Sequence, residues 1–191
     1  MITGPVRDEL IARYSEPHRC YHTMVHVQDC LDKLAACDDL NAHDRQLLEA
    51  ALWFHDAIYD PTRNDNEAES ARLAEDRLAA MGEPADFIAE VSRLILLTAG
   101  HTVEPGDRLG ARLVSIDLSI LGADPAVYDA YAAGIRAEYA HVPEALYRAG
   151  RAAVMSRFLD SPVLFPDPAW AARLDAPARA NMRREIAALT A

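Results

Sequence analysis

His55 and Asp56 close an apolar run, ALWFHDAIYD, over residues 51–60. Leu48, Ala51, Leu52 and His55 follow helical i, i+3, i+4, i+7 spacing, which puts the imidazole on a buried face. A lone buried histidine is compatible with a satisfied core residue. The adjoining carboxylate changes the balance, because an ionised side chain is costly to bury unless it is paired or bound to a metal. In YHTMVHVQDCLDKL, His22 and His26 are four residues apart and stack on one helical face, with Asp29 next in line. That line borders the core stripe Val27, Leu31 and Leu34. Two such histidines can reach a single site, or can simply be solvated.

Two acidic residues repeat the pattern. In DRLGARLVSIDLSILG, Leu113, Val114 and Leu121 lie three or four residues from Asp117, so Asp117 projects from an apolar face. Its plain alternative is to cap a neighbouring helix. Glu67 heads the stripe Ala71, Ala74, Leu78 and Met81, although an acid in a first helical turn is favoured by the dipole in any case. Each residue has a structural explanation of its own, but four helices each sending an ionisable group inward is harder to explain piecemeal. A shared metal satisfies them together. His26, His55, Asp56 and Asp117 would supply two nitrogen and two oxygen ligands. That set suits Mn, Fe, Co, Ni or Zn, and is too rich in nitrogen for a dedicated Ca or Mg site.

The elements that must position these groups are helices. Punctuation cuts the chain into helix-length pieces at about 5–15, 21–37, 43–57, 66–81, 84–98, 107–121, 125–140, 143–159 and 177–189. Asn41 and Asn66 are start signals, Pro84 and Pro143 suit first-turn positions, and Gly82, Gly100 and Gly122 fall where helices should stop. No convincing period-two strand is present. Only 8 glycines and 7% aromatic residues argue against a β-sandwich or barrel, and abundant Ala, Leu, Arg and Glu favour helix. The expectation is an all-α, multi-helix bundle in a single domain spanning 1–191. Its metal-site core would occupy about 18–122, with C-terminal helices over 124–191 packed on it.

A formal net charge of -11 makes duplex nucleic acid a poor partner. It leaves room for a small phosphate ligand, since a bound divalent ion inverts the local field. Cys20, Cys30 and Cys37 form no C-x-x-C pair, and reduced thiols in a cytoplasmic protein are expected. The start MITGPVRDEL lacks the apolar core of a signal peptide, and no apolar run approaches the ~18 residues of a membrane span.

The ordered set His26, His55-Asp56 and Asp117 resembles the HD superfamily of metal-dependent phosphohydrolases. YHTMVH, WFHDAIYDPTRNDNEAESA, IDLSILG and IRAEY are similar to a bacterial subgroup of predicted HD-domain hydrolases, and together they reach over most of the chain. The resemblance implies that His26, His55, Asp56 and Asp117 ligate a divalent transition metal. YHTMVH is also similar to an element of cyclic-nucleotide phosphodiesterases whose first histidine protonates the leaving oxygen. Carried over, His22 is the general acid and Glu67 the carboxylate that orients it. Where the subgroup favours an acid two residues before the last ligand, this chain has Ser115. Dinuclear members supply two further histidines between the HD pair and the last aspartate. Here the interval holds only His101, so a second ion such as Mg would rest mainly on Asp56 and water.

The function implied is hydrolysis of a phosphate ester, of a nucleotide or another small phosphorylated metabolite, by metal-activated water. His101, at a helix end, and Arg148 and Arg151, by their chemistry, are candidate substrate-binding residues. Two other readings stay open at this point: a di-iron oxygenase of the same fold, and a non-catalytic module that binds a metal or a nucleotide.

Overall fold

The helix that carries the apolar run, α3 (Ala42–Phe54), buries Leu47, Leu48, Ala50, Ala51, Leu52, Trp53 and Phe54. A helix apolar on nearly every side must be surrounded. α2 (Met24–Ala35), α4 (Asn66–Met81) and α5 (Ala85–Leu97) pack against it. Leu48 and Leu52 are fully shielded, and such burial is worth about 1.5–3 kcal/mol per side chain. Asn41 caps α3 as its sequence position predicts, its side chain accepting from the Asp44 N–H at 2.8 Å. Gly82 ends α4 in a left-handed conformation, φ 81°, where a side chain would be strained.

The computed structural model describes residues 2–191. Among the described residues every regular element is helical, as the sequence leads one to expect. α1 (Gly4–Arg13) precedes α2, and α6 (Arg108–Asp117) follows α5 and runs into a short 3-10 turn, Leu118–Gly122. α7 (Pro125–Glu138), α8 (Glu144–Asp160) and α9 (Pro168–Thr190) complete the chain. Two compact units are present, Met1–Val114 and Ser115–Ala191, and the division falls inside the continuous helix α6.

Three expected boundaries are corrected. The helix expected over 21–37 begins only at Met24, because Thr23 accepts from the Val25 N–H and caps it. The helix expected over 43–57 stops at Phe54. The last helix, expected from Pro177, starts at Pro168 and carries Pro177 in its interior. Its start is set by Asp167, which accepts from the Ala169 N–H, and by proline at a first-turn position.

In the first unit, α1 is joined to α4 by Glu9, which accepts from Arg77 at 2.7 and 3.1 Å and from Arg13 at 3.0 Å. The Arg77 hydrogen bonds are the main cause that brings the Glu9 carboxyl down from 4.5 to about 2. The folded chain therefore holds this site deprotonated where the unfolded chain binds a proton. The resulting stability is present above about pH 4.5 and disappears as pH falls toward 2. Replacing Arg77 with glutamine is expected to reduce the loss of stability across that window, read as urea midpoints at pH 6, 4 and 3.

In the second unit α9 packs on α8 and on the 3-10 turn. Buried Asn181 donates to the carbonyls of Leu121 and Ala123 at 3.0 and 2.8 Å, satisfying the end of that turn. Buried Ser115 accepts from the Asp167 N–H at 3.0 Å. Ser115 thus ties the start of α9 to the end of α6.

Candidate metal centre

His55 is the residue that ends α3, and Asp56 lies in the turn just beyond it. The carbonyls in this region are satisfied from far away in sequence. Tyr14 donates to Trp53 O at 3.0 Å, and Arg19 donates to Asp56 O and Ala57 O at 2.8 and 3.1 Å. His18 bonds Tyr59 O at 2.8 Å. From the other side, Asn66 and Ser70 of α4 hold the backbone of Asp60 and Ile58. The HD turn is fixed by side chains on both flanks.

His26, on α2, is 5% exposed, and His55 is 1% exposed. Their Nε2 atoms lie 3.1 Å apart. Asp56 Oδ2 is 3.0 Å from His55 Nε2 and 3.7 Å from His26 Nε2. Asp117, the last residue of α6, joins them: His26, His55 and Asp117 each offer a ligand atom within 4.8 Å of the others. Two imidazoles are thus approached by two carboxylates, and these are the four residues the sequence nominates as ligands.

The chemistry of this donor set fits a metal. His55 Nδ1 is 3.0 Å from Leu52 O. A carbonyl only accepts, so Nδ1 donates there, and Nε2 is the ring atom turned toward Asp56 Oδ2 and His26 Nε2. A cation between the imidazole nitrogens and the carboxylate suits this arrangement, as does a proton on Nε2. Bond lengths of about 2.1 Å place adjacent ligand atoms of a first-row ion about 3.0 Å apart at right angles and about 3.4 Å apart in a tetrahedron. The observed 3.0 and 3.1 Å separations fall at that scale. Tyr21 supports the other ring, its hydroxyl lying 3.0 Å from His26 Nδ1. A partner on the remote nitrogen is the usual arrangement for a metal-binding histidine.

His22 precedes α2 instead of lying on it, since Thr23 is the cap. It still stands close to the cluster. Its ring centroid is 6.2 Å from that of His26 and 4.2 Å from that of Tyr59, against which it leans. Glu67 is half-buried in the first turn of α4, and no hydrogen bond or ion pair between it and His22 is present among the described residues. Asp29 faces outward and pairs with Lys33. His101 has φ 52°, a left-handed conformation that is uncommon outside glycine, and its N–H closes the end of α5 on Leu97 O at 2.8 Å.

The two candidate phosphate-binding arginines are engaged within the second unit. Arg148 donates to Ala188 O at 2.9 Å, near the end of α9. Arg151 donates to both oxygens of Glu185 at 2.8 and 3.2 Å and lies 5.1 Å from the Tyr131 ring. Burial alone would lower its pKa; Tyr131 and Glu185 outweigh that and raise it. Both guanidinium groups hold α8 against its neighbours. Arg19, Tyr21 and Ser70 support the site without any signal in the sequence pattern, and Asn66, a helix start signal, also holds the Asp60 backbone.

Fold and site together define an all-helical protein with a His-His-Asp group, both histidines buried and the aspartate half-buried, able to hold a metal ion. No helix among the described residues is long and apolar enough to cross a membrane. Comparison with family models, with curated proteins and with solved structures returned no match.

Proposed function

We propose that the chain is a metal-dependent phosphohydrolase acting on a small phosphate ester, such as a nucleotide or another phosphorylated metabolite. The observation that carries this reading is the convergence of His26 Nε2, His55 Nε2 and Asp56 Oδ2 within 3.0–3.7 Å in a largely buried site, with Asp117 alongside. The resemblance of YHTMVH, WFHDAIYDPTRNDNEAESA, IDLSILG and IRAEY to HD-superfamily hydrolases, carried in large part by the same residues, points the same way.

His26, His55, Asp56 and Asp117 would hold the ion, drawn from Mn, Fe, Co, Ni or Zn. A divalent ion there supplies acidified water at neutral pH and positive charge for the phosphoryl oxygens. The protein's own part is fourfold. His55 and His26 present Nε2, their remote nitrogens being occupied by Leu52 O and the Tyr21 hydroxyl. Asp56 balances charge beside them. The buried end of α3 limits water around the ligands. His22, leaning on Tyr59 next to the cluster, holds a proton on its ring and passes it to the leaving alkoxide, which departs as an alcohol while phosphate or a phosphomonoester remains.

The test separates these parts. With a substrate found by screening mononucleotides, cyclic nucleotides, dinucleotides and sugar phosphates, His22→Gln should lower kcat by about 10²- to 10⁴-fold and leave bound metal unchanged. Asp56→Ala should lose both metal and turnover. Full hydrolysis by metal-stripped Asp56→Ala protein would contradict the assignment.

A further inference from the structure

We propose that Arg19 is a positioning residue for the metal centre, one that sets the Asp56 carboxylate and the His22 ring against each other. This rests on the metal-site reading above. The Arg19 side chain is fully buried. A guanidinium carries five donors in a rigid planar fork, and four are used here. Nε donates to Glu16 Oε2 at 3.1 Å. One terminal nitrogen donates to His22 O at 3.0 Å and to Asp56 O at 2.8 Å. The other donates to Ala57 O at 3.1 Å. Two segments 34 positions apart, one bearing the proposed proton donor and the other a proposed ligand, are therefore clamped to one planar group.

The clamp also reaches the His22 ring. The guanidinium carbon lies 5.4 Å from the centre of the Tyr59 ring, and Tyr59 in turn supports His22. Tyr14, 5.1 Å from the same carbon, faces it from the end of α1. A buried cation with one carboxylate and three carbonyls around it is well satisfied, and its geometry is specific to the fork. Lysine keeps the charge but presents a point donor, so it cannot hold His22 O, Asp56 O and Ala57 O in a single plane.

The experiment is a double-mutant cycle read on metal affinity, using the chelator-stripped 191-residue chain titrated with Zn(II) or Co(II). The four proteins are the wild type, Arg19→Lys, Asp56→Asn and the double variant, with thermal unfolding followed for each. If Arg19 acts by placing Asp56, Arg19→Lys should weaken metal binding by about 10- to 100-fold in the wild-type background. In the Asp56→Asn background it should weaken binding by less than about 3-fold, since contacting residues are not additive. An equal loss in both backgrounds would mean a merely structural arginine and would overturn the inference, as would unchanged affinity in folded Arg19→Lys. Should Arg19→Lys fail to fold, exchange of the Arg19 Nε–H answers instead. Slowing on metal addition in the wild type but not in Asp56→Asn supports the clamp; no slowing in the wild type overturns it. A wild-type chain that binds neither ion ends the metal reading and this inference with it, an outcome distinct from failure of Arg19 alone.

Discussion

Replacing His55 with alanine is expected to weaken metal binding by more than about 100-fold while leaving a helical chain. Altering a residue that only supports a metal ligand commonly costs 10- to 100-fold, and in the proposed centre His55 would supply a ligand atom itself. Its Nε2 lies 3.1 Å from that of His26 and 3.0 Å from Asp56 Oδ2, so it is the atom both other donors approach. Without it, one imidazole and the carboxylates remain, a set better suited to harder ions. The fold has other anchors here: Tyr14 and Arg19 continue to hold the carbonyls of Trp53, Asp56 and Ala57. Competition with a chromophoric chelator reads the affinity, and far-ultraviolet circular dichroism reads the helix. Unchanged affinity in a folded His55→Ala protein would remove this residue from the ligand set.

Arg151→Ala is expected to cost about 3–5 kcal/mol of stability, because removing one member of a buried ion pair strands the other. Arg151 and Glu185 are 9% and 10% exposed at their side chains. Glu185 also accepts the Tyr128 hydroxyl, which burial and this carboxylate push well above the usual tyrosine range. Loss of the guanidinium would leave the Glu185 carboxylate facing Tyr128 without its ion-pair partner. The variant Arg151→Met with Glu185→Leu should lose less than Arg151→Ala, since apolar replacement of both partners removes the stranded charge. Urea midpoints of the three proteins decide it, and equal stability of Arg151→Ala and wild type would show that the pair contributes little.

Much of the fold is legible in sequence because local signals set it. Asn41, Gly82 and the proline and glycine positions mark helix ends by capping chemistry that operates within a few residues. His26, His55 and Asp117, which the structure brings within reach of one ion, are legible as candidates because a polar residue on or beside an apolar stripe breaks the pattern that burial imposes. What escaped is non-local. α3 stops at Phe54 although its apolar pattern continues, and the carbonyls just beyond are taken by Arg19 from 37 and 38 positions upstream. Nothing near Asp56 announces that guanidinium. Arg148 and Arg151 suggest phosphate binding by charge alone, whereas their partners on α9 lie 40 and 34 positions away. Four-residue spacing to His26 suggests a helix at His22, but Thr23 is a local capping signal that starts α2 after it, and the two rings nevertheless lie near each other.

Whether His26, His55, Asp56 and Asp117 hold a metal ion is decided by elemental analysis of the 191-residue chain, stripped with chelator, reconstituted with a transition-metal mixture and freed of loose ions by gel filtration. The expected result is at least one tightly held transition-metal ion per chain, retained in His22→Gln and absent in His55→Ala and Asp117→Ala. A wild-type chain that retains no ion, or folded His55→Ala and Asp117→Ala proteins that retain as much as the wild type, would contradict it.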